Sequence, residues 1–289
     1  MPSEKLHFTV TGAFLAASVS LANLASAQTP SERAAYLVNA VMACDGCHTP
    51  RGPNGAFDMS KRFSGGSNIF DEPNYLVKGA NITPDKETGI GAWSDAELKR
   101  ALTQGVRPNG TQIATSMPYT FYRGLAQGDL DAIVAYVRAV PAVSNKVQAP
   151  VYKGPMKPVP IPGAESPMAE GDLANPVKRG FYLATAAHCM ECHAGYVDHS
   201  PDYKTSLGKG GRIFTGPYGA VAAVNITSSK TNGIGDWTDE EIKQVLVTGK
   251  GRNGRQLVPP MARNFYFSKM VPDDLSAIVA YLRTLPPID

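Results

Sequence analysis

Apolar side chains recur at helical spacing along this chain, and the stretches fall into two matching sets of three. Ala34, Leu37, Val38 and Val41 mark one face of a helix over 31–43, and a counterpart runs over 176–187. A second helix follows Ser94-Asp95-Ala96-Glu97, a capping box, with Leu98 and Leu102 on its apolar stripe and Gly105 as its stop. Its counterpart follows Thr238-Asp239-Glu240-Glu241, carries Ile242, Val245 and Leu246, and stops at Gly249. A third helix shows Leu130, Ile133, Val134 and Val137 before Pro141, and its copy shows Leu275, Ile278, Val279 and Leu282 before Pro286. The pattern predicts an all-α fold.

The repeat extends beyond the helices. Asn81-Ile82-Thr83 returns as Asn225-Ile226-Thr227, and Gly89-Ile90-Gly91-Ala92-Trp93 as Gly233-Ile234-Gly235-Asp236-Trp237. The chain therefore divides into a first domain over 28–141, a proline-rich linker over 142–172 and a second domain over 173–289. The linker is expected to be extended and stiff, with no core of its own, and so to separate two cores. Residues 1–27 read as an export leader: Lys5, an apolar run over 10–24, then Ala25-Ser26-Ala27, with cleavage after Ala27. Within each domain the loop between first and second helix is long, glycine-rich and without period. Such loops need something to order them.

Cys44-Asp45-Gly46-Cys47-His48 and Cys189-Met190-Glu191-Cys192-His193 supply a reason. Each is Cys-x-x-Cys-His, the c-type haem attachment pattern: two thiols to add to the porphyrin vinyl groups and an imidazole to take the iron. The alternatives are a redox dithiol, a zinc site pooled from both motifs, or a disulfide. A redox dithiol does not require the His, and the motifs lie in separate, similar domains. All four cysteines of the chain are used. The expected cofactors are two covalently bound haem c, held by Cys44, Cys47 and His48, and by Cys189, Cys192 and His193. A haem in each half also supplies apolar surface that three short helices lack.

For the sixth iron ligand the repeat singles out Met117 and Met261, the methionines in matching loops after the second helix. The competing role for each is gap filling in a core. Outside the leader, His188 and His199 remain, without counterparts in the first copy, which disfavours bis-His ligation of both irons. Trp93 and Trp237, like Asn81 and Asn225, serve either packing or a haem propionate.

Net charge is +3. The first domain is balanced and the excess lies in the second, where Lys250, Arg252, Arg255 and Arg263 stand near Met261; the matching segment of the first holds Arg107 and Arg123. The excess is too modest for a nucleic-acid partner and suggests an acidic protein partner for the second haem.

With two such motifs and Asn-Ile-Thr-Pro-Asp-Lys-Glu-Thr-Gly-Ile-Gly-x-Trp over Asn81–Trp93, the chain resembles the multihaem cytochrome c subunits of bacterial alcohol, gluconate and aldehyde dehydrogenases. Those subunits usually carry three haems, and this sequence holds two motifs. The resemblance implies two tandem class I-like cytochrome c domains. It implies a non-enzymatic, periplasmic electron carrier between a dehydrogenase donor and a respiratory acceptor, with peripheral membrane association through a partner. The competing class is a dihaem enzyme, either a peroxidase, which needs an open iron site, or a thiosulfate dehydrogenase, whose Cys ligand has no fifth cysteine here.

Overall fold

A computed structural model describes residues 28–66, 69–198 and 200–289. The leader at 1–27 and His199 lie outside the described residues.

Helix α1 (Pro30–Tyr36) starts from a capping box in which Thr29 and Glu32 satisfy each other's backbone N–H. It passes into a π-helical turn over Leu37–Val41, whose wider winding buries Leu37, Val38, Ala40 and Val41. The short α2 (Asp45–His48) follows. Helix α3 (Asp95–Gln104) is capped by Ser94 and Glu97 and closes on Gly105, which is left-handed at φ 66°. After α4 (Tyr119–Tyr122) comes α5 (Gln127–Ala139), which buries Leu130, Ile133, Val134 and Val137. The second copy repeats this order. Its elements are α6 (Pro176–Ala186), α7 (Cys189–His193), α8 (Asp239–Thr248), α9 (Asn264–Phe267) and α10 (Pro272–Leu282). Helix α8 has the same box, Thr238 with Glu241, and closes on Gly249 at φ 69°.

The all-α expectation is corrected by three small antiparallel sheets, which make the fold mixed. Strands β1 (Ile69–Glu72) and β2 (Tyr75–Lys78) form a hairpin about Pro73-Asn74. Strand β3 (Val151–Tyr152) joins it along β2. Strands β4 (Gly195–Val197) and β5 (Ser200–Asp202) pair just after the second motif. Strands β6 (Ile213–Gly216) and β7 (Gly219–Ala222) repeat the first hairpin about Pro217-Tyr218. All of these but β3, which belongs to the proline-rich stretch, occupy the loops that carry no readable period. With four residues or fewer each, they are too short to show alternation.

The proline-rich stretch does not separate two cores. Its β3 extends the first hairpin, Asn145 Nδ2 donates to Ser64 O at 2.9 Å, and Ile161 and Ala164 are 1% exposed within the main core. That core is continuous, joining Leu37, Val41, Phe121 and Leu125 of the first copy to Leu183, Tyr266, Ile278 and Leu282 of the second. A smaller cluster of Ile90, Leu98, Val134 and Val137 sits under α3. Helices α6 and α10 cross closely at Gly180, where a Cβ would come within 1.8 Å of Ala277 O.

The contacts between copies are reciprocal. Asp129 of α5 takes Arg33 of its own copy at 3.0 Å and the Tyr182 hydroxyl of the other at 2.6 Å. Asp274 of α10 takes Arg179 of its own copy at 3.4 Å and the Tyr36 hydroxyl of the other at 2.7 Å. Phe57 packs on Phe265 and Tyr266, and Phe121 on Tyr203, as a second reciprocal set.

Candidate functional site

Each motif is launched by a backbone reversal. Ala43 (φ 56°) and His188 (φ 47°) are left-handed, an unfavourable setting for a side-chain-bearing residue. They end the first helix of each copy and start a short one at the first cysteine. Cys44 and Cys47, like Cys189 and Cys192, then stand three residues apart on one turn, on the same side. None of the four is in a disulfide. Burial pushes the Cys44 and Cys192 thiols up to about 12 and Cys189 up to about 11. A dithiol built for exchange needs a thiolate, so these surroundings oppose that reading. Among the described residues no group of three or more His, Cys, Asp or Glu is placed to hold a metal ion, which also opposes a pooled zinc site.

The two imidazoles are held identically. His48 Nδ1 lies 2.8 Å from Ala80 O, and His193 Nδ1 lies 2.8 Å from Val224 O. A carbonyl can only accept, so Nδ1 carries the proton and Nε2 keeps its lone pair for a metal. Desolvation lowers both imidazoles from their usual pKa, against the opposing pull of the carbonyl, and so keeps them neutral as ligands.

Glycines set the carbonyls in place. Gly65 and Gly210 donate their N–H to His48 O (2.7 Å) and His193 O (2.8 Å). Their φ values are +79° and +74°. A Cβ on Gly65 would fall 2.5 Å from the Ala80 and Gly79 backbone, and one on Gly210 would fall 2.5 Å from Ala223 O and Val224 O. The signal for them was in the sequence, since Gly65-Gly66 returns as Gly210-Gly211. Near these carbonyls stand exposed apolar side chains, Ile69 at 60%, Ile213 at 68% and Val224 at 63%. Paired thiols, an anchored neutral imidazole and adjacent apolar surface are the donor set and lining that a covalent haem requires.

Met117 and Met261 occupy matching turns ahead of α4 and α9, both half-buried. Met117 O accepts from Tyr119 N at 2.8 Å, and Met261 O from Arg263 N at 2.6 Å. No hydrogen bond joins either methionine to its histidine among the described residues. Asn81 and Asn225 serve the loop. Their amides reach Val143 O (2.8 Å) and Ile288 O (2.5 Å), and their carbonyls accept from Thr83 N and Thr227 N. Trp93 packs on the small cluster under α3, and Trp237 lies beneath the Arg252 guanidinium at 5.6 Å.

The charged surroundings differ between copies. Asp45, inside the first motif, is 6% exposed and is gripped by Arg62 at 2.7 and 2.9 Å. The second motif has Met190 there and Glu191 one residue later. Glu191 Oε2 lies 2.8 Å from His188 Nδ1, whose Nε2 lies 3.3 Å from Arg263 Nη2. The basic cluster near Met261 is therefore partly engaged. Arg263 turns inward, and Arg252 is bound by Asp236 (3.0 Å) and Glu241 (2.8 Å), while Lys250 and Arg255 are exposed. No described helix is long and apolar enough to cross a membrane.

The chain is similar to known proteins. The cytochrome c family matches residues 177–286. The fructose dehydrogenase cytochrome subunit of Gluconobacter japonicus is 30% identical over 274 residues, 91% of this chain and 54% of that protein. The diheme cytochrome c-type of Cereibacter sphaeroides is 30% identical over 261 residues, 85% of this chain and 83% of that protein. The cytochrome c subunit of the quinone alcohol dehydrogenase of Gluconobacter oxydans is 26% identical over 85% of this chain and 52% of that protein. The chain thus spans about half the length of the dehydrogenase subunits it matches and most of the diheme protein. With its paired thiols and anchored imidazoles, it belongs to the c-type cytochromes, electron-transfer proteins that carry covalently bound haem c.

Proposed function

We propose that this chain binds two haem c groups and carries single electrons from a dehydrogenase to a respiratory acceptor outside the cytoplasm, without catalysing a reaction of its own. Bound haem supplies a reversible one-electron centre. Cys44 and Cys47, and Cys189 and Cys192, fix it by thioether bonds. His48 and His193 offer Nε2 to the iron, each oriented by its Nδ1 contact. Met117 and Met261 would supply the second protein ligand to each iron, and a His/Met ligand pair would raise the reduction potential. The observation that carries this reading is the equal 2.8 Å anchoring of both imidazoles, directly after a pair of thiols, in both copies. The dehydrogenase partner is supported by the relatives named as dehydrogenase cytochrome subunits.

The test is made on the holoprotein. Two haems per chain should resist acid-acetone extraction. Met117→Ala and Met261→Ala should each remove about half of the weak far-red Met-to-iron absorption and lower one midpoint potential. A chain with one haem, or a full far-red band in both variants, would end this reading.

A further inference from the structure

The two motifs are not equivalent in charge. Beside the first, the buried Asp45 and the half-buried Arg62 pair and cancel. Beside the second are Glu191, Arg263 and Arg212, whose Nη1 lies 3.3 Å from Glu191 O. Two cations thus face one anion there. Glu72, itself half-buried, meets Arg212 at a loose 3.8 Å and offsets part of its charge, which leaves Arg263 as the cation set against Glu191; beside the first motif Arg51, over Phe57, is an exposed charge. Water and salt screen such groups, whereas half-buried charges keep their reach.

Arg263 is specific to the second copy. Its N–H closes the turn on Met261 O as Tyr119 N closes the turn on Met117 O, so an aromatic residue stands where Arg263 does. Its guanidinium reaches His188, the residue before Cys189, where the first copy has Ala43. Because Arg263 donates to Nε2, the His188 proton sits on Nδ1 toward Glu191. Desolvation and Arg263 lower the His188 pKa, so this ring adds no charge of its own.

We propose that Arg263 is a potential-setting residue that makes the haem of the second copy the higher-potential one, and so makes that half the side from which electrons leave. This rests on the two-haem reading above. A fixed cation in a half-buried site favours the ferrous state, which carries one positive charge fewer than the ferric. With both groups bound, one electron would pass from the haem held at His48, which would be oxidised, to the haem held at His193, which would be reduced.

The experiment is a spectroelectrochemical titration of the full holoprotein, with haem stoichiometry and the far-red band recorded for every variant. Wild type should show two midpoint potentials. Arg263→Gln should lower the higher one and leave the other in place, and Arg263→Lys, which keeps the charge, should hold it near the wild-type value. Glu191→Gln should move the same potential upward. With two haems and the far-red band intact, a shift of the lower potential, an equal shift of both or no shift would overturn the proposal. A stoichiometry of one haem would instead overturn the two-haem reading on which it stands.

Discussion

At the scale of single residues, the site depends on positions that have no chemistry of their own. Gly65 and Gly210 bring a bare Cα against the backbone segment whose carbonyl orients each histidine. Gly65→Ala or Gly210→Ala adds both left-handed strain and an overlap with backbone that cannot rotate away. Each should cost about 2–4 kcal/mol in denaturant unfolding, and each should also lower haem incorporation in its own copy. Normal incorporation with normal stability would show that the carbonyl does not need this support. The cysteines and histidines were legible because motif chemistry is local. Ala43 and His188 were not, since nothing in an alanine or histidine announces a positive φ. Arg263 was read only as a charge and Arg62 drew no reading, because their partners His188 and Asp45 are distant in sequence.

At the scale of elements, helices were legible and strands were not. Capping boxes and apolar stripes lie within single turns, and α3 and α8 start at Ser94 and Thr238 and stop at Gly105 and Gly249 as their sequences indicate. The hairpins are held by partner strands and turns, and Ile69 and Ile213 show outward where a core strand would bury them. Ser94→Ala and Thr238→Ala should each cost about 1 kcal/mol of stability. The boxes also make the helix starts sensitive to acid. Backbone hydrogen bonds from Ser94 and Thr238 hold the Glu97 and Glu241 carboxyls below their usual value of 4.5. A depressed folded value means that the stabilisation is complete above that unfolded value and is lost as pH falls through the folded one. Amide exchange at the first turns of α3 and α8 should accelerate over that acidic range, and Glu97→Gln, which removes the titrating carboxyl, should abolish the effect in α3 alone.

At the scale of the molecule, the decisive contacts cross from one copy to the other, and no reading of local pattern reaches them. Tyr36 and Tyr182 each donate to a buried carboxylate of the opposite copy, and a hydrogen bond to a charged group contributes about 1.5–3 kcal/mol. The Tyr36→Phe, Tyr182→Phe double variant should lose roughly twice that in thermal unfolding, with haem content unchanged. Burial first, and then the neighbouring carboxylate, raises both phenols above their ordinary value of 10.0. A raised folded value gives stability that is complete below 10 and is lost as pH climbs toward the folded values, because only the unfolded chain ionises freely there. Wild type should therefore lose stability above pH 10 more steeply than the double variant. Equal alkaline slopes would show that the phenols do not join the copies.

The reciprocity of those contacts has an ancestry written into it. Each copy offers the other the same Tyr and the same Asp–Arg pair, which is how two identical subunits meet across a two-fold axis. A pair of separate chains making these contacts would come apart on dilution. Joined through the stretch that carries Ile161 and Ala164 into the shared core, each copy meets the other at an effective concentration on the order of millimolar, however dilute the protein is. Gene fusion of a dimer would thus have turned an equilibrium between partners into a fixed spacing, and a wire is useful only while its length does not change.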